Sequence, residues 1–199
     1  MDMLTLTQLA DYRLCGERTE ISAMLLRLIE LKSASLYQHS QQVANYSMSI
    51  AATMRLPREE IARIHLGALL HDLGHLTVPV TLFSKAPYLT TRETSIYKGH
   101  CNAGVNILEN IPSFLDILPF IQHHHERWDG HGYPKRLKGV NIPLGARIIS
   151  VANHYDRYIN PCTEQWRKTR AQALKELSDQ AGTAFDPDVV KAFSETLGR

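Results

Sequence analysis

Apolar residues recur every three or four positions along most of this chain, and no stretch alternates apolar with polar in twos. That rhythm fits helices and leaves no candidate strand, repeat or low-complexity tract. Ile21, Met24, Leu25, Leu28, Ile29 and Leu31 mark a first helix over Ile21 to Lys32, with residues 1–20 as an N-terminal extension. Ser35 is the expected N-cap of a long second helix that carries His39, Val43, Tyr46 and Ile50 and ends before Pro57. Pro57 suits the first turn of a third, where Glu59 and Glu60 complement the helix dipole. Ile61, Ile64, Leu66 and Leu69 carry that helix into His71-Asp72, and Gly74 is expected to stop it.

The second half follows the same grammar. Thr90-x-x-Glu93 reads as a capping box that opens a helix holding His100 and running to about Asn110, where Pro112 blocks continuation. A helix from about Ser113 to His125 is expected to deliver three consecutive histidines at its C-terminal end. Glycines and Pro134 describe a loop over Glu126 to Asn141, and Pro143 starts the helix that carries Asn153. A helix from about Thr163 to Gln180 ends at Gly182, and Asp186-Pro187 caps a short terminal helix. The expected architecture is all-α, one helical bundle over residues 21–199 with a single irregular Gly-rich loop.

Bulk properties narrow the setting rather than the function. A chain of 199 residues is long enough for one core of ordinary size. The formal charge of +2 neither demands nor excludes an anionic partner. Cys15, Cys101 and Cys162 are odd in number with no C-x-x-C spacing, which argues for reduced thiols rather than a disulfide framework or zinc knuckle. No apolar run reaches about 18 residues, and Asp2 stands where a signal peptide would be basic. A cytoplasmic domain is expected, with neither a membrane nor a nucleic acid polymer as partner. About 20 residues precede the first predicted helix, so no attached sensory or receiver domain is expected.

The chemistry lies in the histidines. Side chains adjacent on a helix point about 100° apart, so His123, His124 and His125 cannot share one apolar face. Some of them must meet polar groups or a metal. About fifty residues upstream stands a second acid–imidazole pair, His71-Asp72. Imidazole and carboxylate are groups that together hold divalent ions. A site of that kind draws ligands from several helices.

These residues resemble the HD-GYP family, a branch of the HD superfamily of metal-dependent phosphohydrolases. The resemblance runs over roughly residues 30 to 195 and rests on an ordered set of motifs. They are His39-Ser40, His71-Asp72-Leu73-Gly74-His75, Lys98-Gly99-His100, the His124 to Pro134 run, Ile142-Pro143 with Ala146-Arg147-Ile148, and Val151-Ala152-Asn153. It implies an HD-type helical bundle with His39, His71, Asp72, His100, His124 and His125 as metal ligands and Asp72 bridging two ions. By the same likeness Asn153 stands at the last ligand position and His75 at the phosphate-contacting catalytic position beside Asp72. Glu126, Gly130, Gly132, Tyr133 and Pro134 form the loop, with Glu126 and Asp129 organising it or supporting a ligand imidazole. The implied cofactors are one or two divalent ions per chain, iron or manganese, and the implied substrate is cyclic di-GMP or a related cyclic dinucleotide.

Departures from the family pattern keep a second class open. Ser35 lies one turn before His39 where trinuclear members carry glutamate, so no third metal is expected. Asn153 replaces an aspartate and His75 a lysine, and the family's arginine-bearing segment has no counterpart in Asn160 to Trp166. Asp72 then contributes the only formal negative charge of the carried-over ligand set. An imidazole-rich set suits iron, zinc or nickel, and manganese less well, better than magnesium or calcium. One reading is a phosphodiesterase. The other is a binding module, with chemistry lost, that holds a cyclic dinucleotide or a protein partner through the Gly-Tyr-Pro loop. A hydrolase acting on a smaller phosphate ester is a third. His65 and His154 match no ligand position and are expected to be structural or exposed, and His123 to be a core group or a support for a ligand.

Overall fold

A computed structural model describes residues 6–85, 88–161 and 164–198. Cys162, Thr163 and Asp2 lie outside these residues, as does the side chain of Cys15. Among the described residues ten α-helices follow one another: α1 (Leu6–Lys32), α2 (Ala34–Thr53), α3 (Arg58–Leu70), α4 (Thr81–Lys85), α5 (Thr91–Lys98), α6 (His100–Leu108), α7 (Leu118–His123), α8 (Leu144–Ile159), α9 (Arg170–Asp179) and α10 (Pro187–Leu197). Short 3₁₀ turns at Leu73–Thr77, Pro112–Phe114, Gly139–Asn141 and Glu164–Trp166 join them. Among the described residues the only extended pairing is an isolated bridge between Ala181 and Phe185, so the all-α expectation holds.

α8 is the central element. Ala146, Ile148, Ile149, Val151, Ala152 and Tyr155 are all buried, and burial on nearly every side is the mark of a helix surrounded by others. α2 packs against α3, α8 and α10. Its buried stripe, Ser40, Val43, Ala44, Ser47, Ile50 and Ala51, steps by three and four and is rich in small side chains, which allows close approach. Phe114, Ile117 and Ile121 close the core beneath it, each stabilising by roughly 1.5–3 kcal/mol if its burial is complete.

Several boundaries differ from the sequence expectation. α1 begins at Leu6 rather than Ile21, so much of the supposed extension is helix. No proline interrupts this stretch, and Arg18, 3.0 Å from Asp116, ties it to the segment before α7. The N-cap of α2 is Ser33, not Ser35: its side chain accepts from the amide of Leu36, while Ser35 lies within the first turn. The predicted helix over residues 113–125 is only Leu118–His123, because Pro112 opens a 3₁₀ turn and Pro119 can begin a helix but not continue one. α9 starts at Arg170 with a capping box from Thr169, not at Thr163. The Thr90–Glu93 box and the Asp186 cap of α10 stand as expected.

Gly74 does not act as a helix stop. α3 has already ended at Leu70, and Gly74 sits in the following 3₁₀ turn. A Cβ there would lie 1.9 Å from the carbonyl oxygen of His100. The missing side chain lets the backbone after Asp72 touch the backbone at the start of α6, which sets the distance between His75 and His100.

Candidate metal centre

The bundle brings the histidines together around one carboxylate. Asp72, fully buried, follows the last residue of α3's C-terminal turn. Its Oδ2 has His71 Nε2 at 3.3 Å and His39 Nε2, from the middle of α2, at 3.8 Å. Its Oδ1 has His100 Nε2 at 3.4 Å, His75 Nε2 at 3.5 Å and His124 Nε2 at 3.7 Å. His125 closes the far side, its ring 4.1 Å from that of His124 and 5.1 Å from that of His100. The positions predicted from the sequence, His39, His71, Asp72, His75, His100, His124 and His125, therefore share one cluster.

The other ring nitrogen fixes which tautomer each histidine holds. His71, His100 and His124 each place Nδ1 2.7 Å from the carbonyl three residues earlier, those of Ala68, Tyr97 and Ile121. A carbonyl only accepts, so Nδ1 carries the proton and Nε2 is left with a bare lone pair. His39 Nδ1 is likewise held, 2.6 Å from Asp156 Oδ2. Burial pushes the imidazoles of His100 and His124 down to about 4 and that of His75 to about 3. Burial likewise lowers His39 and His125. Asp72 moves the other way: burial would raise it, yet the imidazoles of His71, His75 and His124 hold it well below the usual carboxylate range. At neutral pH His39, His75, His100, His124 and His125 offer neutral nitrogens beside an ionised carboxylate, the state in which such ligands bind a cation.

The fit to a metal rests on atoms left without partners. His39 Nε2, His71 Nε2, His125 Nε2 and both oxygens of Asp72 are buried with no hydrogen-bond partner among the described residues. His100 Nε2 and His124 Nε2 face each other at 3.3 Å. With both Nδ1 atoms committed as donors, that contact sets lone pair against lone pair; the Cys101 thiol, 3.5 Å away, can donate to His100 alone, whereas a shared cation satisfies both. Buried groups are rarely left so. The donors fall into His39–His71–Asp72, Asp72–His75–His100 and His100–Cys101–His124–His125, each set lying within 4.8 Å.

Asn153 is fully buried on α8, but its Oδ1 is occupied, accepting from Arg157 Nε at 2.9 Å. Arg157 Nη2 also lies 3.6 Å from Asp72 Oδ2. Sequence reasoning passed over Arg157, although its place one helical turn after Asn153 was a usable signal. It also passed over Asp156, which orients His39, and Cys101, whose Sγ lies 3.5 Å from His100 Nε2. Burial raises the Cys101 thiol, keeping it protonated.

The loop stands beside the cluster. Glu126, 2% exposed, accepts from the amides of Lys135 at 2.6 Å and Leu137 at 3.1 Å. Asp129 accepts from Arg127 and from the amide of His131, folding the turn that holds Gly130. Gly132 packs so tightly that a Cβ would lie 2.3 Å from the amide nitrogen of Arg127. Tyr133, followed by Pro134, stacks on His125 at 4.8 Å, and Lys98 Nζ lies 4.9 Å from the Tyr133 ring centre. His123 Nδ1 lies 3.7 Å from Glu126 Oε1 rather than in the cluster. Beside His125 opens a cavity of about 230 Å³ lined by Lys98, Arg127, His131, Tyr133 and His154 among others. Among the described residues no helix is long and apolar enough to cross a membrane.

Comparison with known proteins agrees with this geometry. The family model of the HD domain matches residues 23–189. A cyclic di-GMP phosphodiesterase of Thermotoga maritima is 32% identical over 87% of this chain and 48% of its own length. A cyclic di-GMP phosphodiesterase response regulator of Xanthomonas campestris is 34% identical over 87% and 46%. A 3'3'-cGAMP-specific phosphodiesterase of Vibrio cholerae is 32% identical over 88% and 34%. The chain thus spans about half the length, or less, of these curated relatives. Among solved structures, an HDG"Y"P protein from Bdellovibrio bacteriovorus superposes with a TM-score of 0.67 at 25% identity, over 81% of this chain and 52% of that one. The HD domain of L. monocytogenes phosphodiesterase PgpH in complex with cyclic-di-AMP shares the fold, with a TM-score of 0.63 at 18% identity over 87% and 92%. Motif order, helical architecture and relatives coincide: this chain belongs to the HD domain family, in its HD-GYP branch.

Proposed function

We propose that this chain is a metal-dependent phosphodiesterase that opens cyclic dinucleotides, cyclic di-GMP or a close relative, at the Asp72-centred cluster. The observation that carries the reading is the pair of unprotonated Nε2 atoms of His100 and His124, 3.3 Å apart beside Asp72 Oδ1, a contact that calls for a cation. His39, His71, Asp72, His75, His100, His124 and His125 would hold the metal. Iron or manganese is the ion the family resemblance implies, and of the two one carboxylate among many imidazoles suits iron better. Bound metal supplies a water ionised at neutral pH and offsets charge on the phosphoryl oxygens.

The chain's own residues supply the rest. Ala68, Tyr97, Ile121 and Asp156 fix four imidazoles in the ligating tautomer, so little reorganisation attends metal binding. His75 faces Asp72 and stacks on His100 at 4.1 Å, which ties it to the metal side rather than leaving it free for phosphate. Lys98 gives the adjoining cavity a positive charge, while Arg127 is paired with Asp129 and Glu126 is tied to backbone amides, and Tyr133 and His154 give it aromatic faces, a lining that suits an anion bearing flat bases. At about 230 Å³ it is smaller than the roughly 300–1,000 Å³ of a pocket that encloses a drug-sized ligand. A cyclic dinucleotide would be gripped over part of its surface. The Gly-Tyr-Pro loop lines that cavity, which favours a substrate role for it over a protein partner.

Purified protein tested for bound metal and for turnover of cyclic di-GMP decides the matter. Bound metal with linear dinucleotide as product is the expected result. Metal binding and cyclic dinucleotide binding without turnover would make the chain a binding module instead.

A further inference from the structure

Resting on the metal-centre reading above, we propose that Arg157 is the resident cation of the Asp72 Oδ2 side, so that the protein holds one metal ion tightly, on the Oδ1 side.

The two oxygens of Asp72 have different surroundings. Around Oδ1 stand Nε2 of His75 and the lone-pair nitrogens of His100 and His124. Around Oδ2 stand His39 and His71, and also the guanidinium of Arg157 at 3.6 Å. The same guanidinium donates through Nε to Asn153 Oδ1 at 2.9 Å and reaches the Tyr97 hydroxyl from Nη1 at 3.4 Å. It is fixed by three neighbours and always charged. An ion on the Oδ2 side would have to face this positive charge at close range, share one carboxylate with it, and take the Asn153 oxygen from it. Replacing the Asn153 amide by a carboxylate would not remedy this, because the new charge would pair with Arg157 first.

The arrangement compensates itself. A neutral Asn153 removes a negative charge, and Arg157 supplies a positive one without a second ion. Its side chain is 41% exposed, so the charge that Arg157 supplies stands at the edge of the cluster rather than sealed within it.

The test is metal stoichiometry, measured by elemental analysis and by the magnetic resonance of Mn²⁺-loaded protein, in the parent, Arg157→Ala, Asn153→Asp, and Asn153→Asp with Arg157→Ala. The parent and Asn153→Asp should hold about one ion per chain, with an isolated-ion spectrum. The double variant should hold about two, with the spectrum of a coupled pair. Arg157→Ala should move toward two at high metal concentration, and Arg157→Lys should behave as the parent. A parent with two ions at full occupancy, or a double variant with no more metal than the parent, overturns the proposal. Absence of metal from the parent and every variant would instead remove the metal-centre reading beneath it. Thermal melting of each apo variant separates lost sites from lost fold.

Discussion

Asp72 and Glu126 are both buried carboxylates, 0% and 2% exposed, yet they are built in opposite ways. Glu126 is satisfied: backbone amides of Lys135 and Leu137 donate to its two oxygens, and the loop is drawn around it. Asp72 is ringed by nitrogens at 3.3–3.8 Å, and neither oxygen has a hydrogen bond among the described residues. Burying an ionised group costs several kcal/mol, and with Arg157 at 3.6 Å as its charged neighbour but no hydrogen bond to either oxygen, the fold tolerates it because something else binds there. Neutral imidazoles in ligating tautomers identify that something as a cation. A carboxylate that organises backbone serves the structure, and one left open among lone pairs serves the chemistry.

Exchanging each acid for alanine should therefore give opposite results. Asp72→Ala should reduce metal binding more than the loss of any single histidine, because two of the three donor sets share this one residue and its carboxylate. Equal metal content in Asp72→Ala and the parent would defeat the contrast. Gly74→Ala should be the next most damaging change. Its Cβ would meet the His100 carbonyl at 1.9 Å, backbone against backbone, so it should cost about 3 kcal/mol and weaken metal binding by displacing His100. Glu126→Ala should lower stability by about 2 kcal/mol through two lost charge-assisted bonds and leave metal content near that of the parent. Chemical denaturation alongside elemental analysis reads both axes. Loss of metal from Glu126→Ala with unchanged stability would merge the two acids into one role.

How much of this the sequence carried follows from what each feature depends on. Capping boxes and proline positions act within a few residues, so the starts of α5 and α10 were legible. Cluster membership was legible too, because helix ends and motif order place His39, Asp72, His100 and His124 without knowledge of packing. The start of α1 was missed because Leu6 to Glu20 carries no clear apolar stripe, and its tie to the bundle is the long-range pair of Arg18 with Asp116. Gly74 was misread for a similar reason: its need for no side chain comes from α6, which lies far along the chain. Orientation was the least legible layer. Nothing local reveals that His75 stacks on His100, and the one-turn spacing of Asn153 and Arg157 allows the bond that takes the Asn153 oxygen without fixing it.

The smallest effect tests whether an exposed, fully satisfied carboxylate follows the Glu126 pattern without burial. Glu93 pairs with Lys85 Nζ at 2.7 Å and accepts from the amide and hydroxyl of Thr90 at 2.9 Å, closing the capping box of α5. The Lys85 bond first, then those of Thr90, pull its carboxyl down from 4.5 to about 2. A depressed acid contributes stability that is complete above its unfolded value and is lost as pH falls through its folded value. Any advantage of the parent over Glu93→Gln should thus be complete above about pH 4.5, shrink as the pH falls, and be gone below about pH 2. It should also shrink in high salt, because the pair faces water. Thr90→Ala should cost about 1 kcal/mol through the lost cap, with little dependence on salt. Denaturation of both variants at several pH values reads these differences. A Glu93→Gln deficit that stays constant across that range would show that its carboxyl folds no backbone, and would confine the pattern to buried acids.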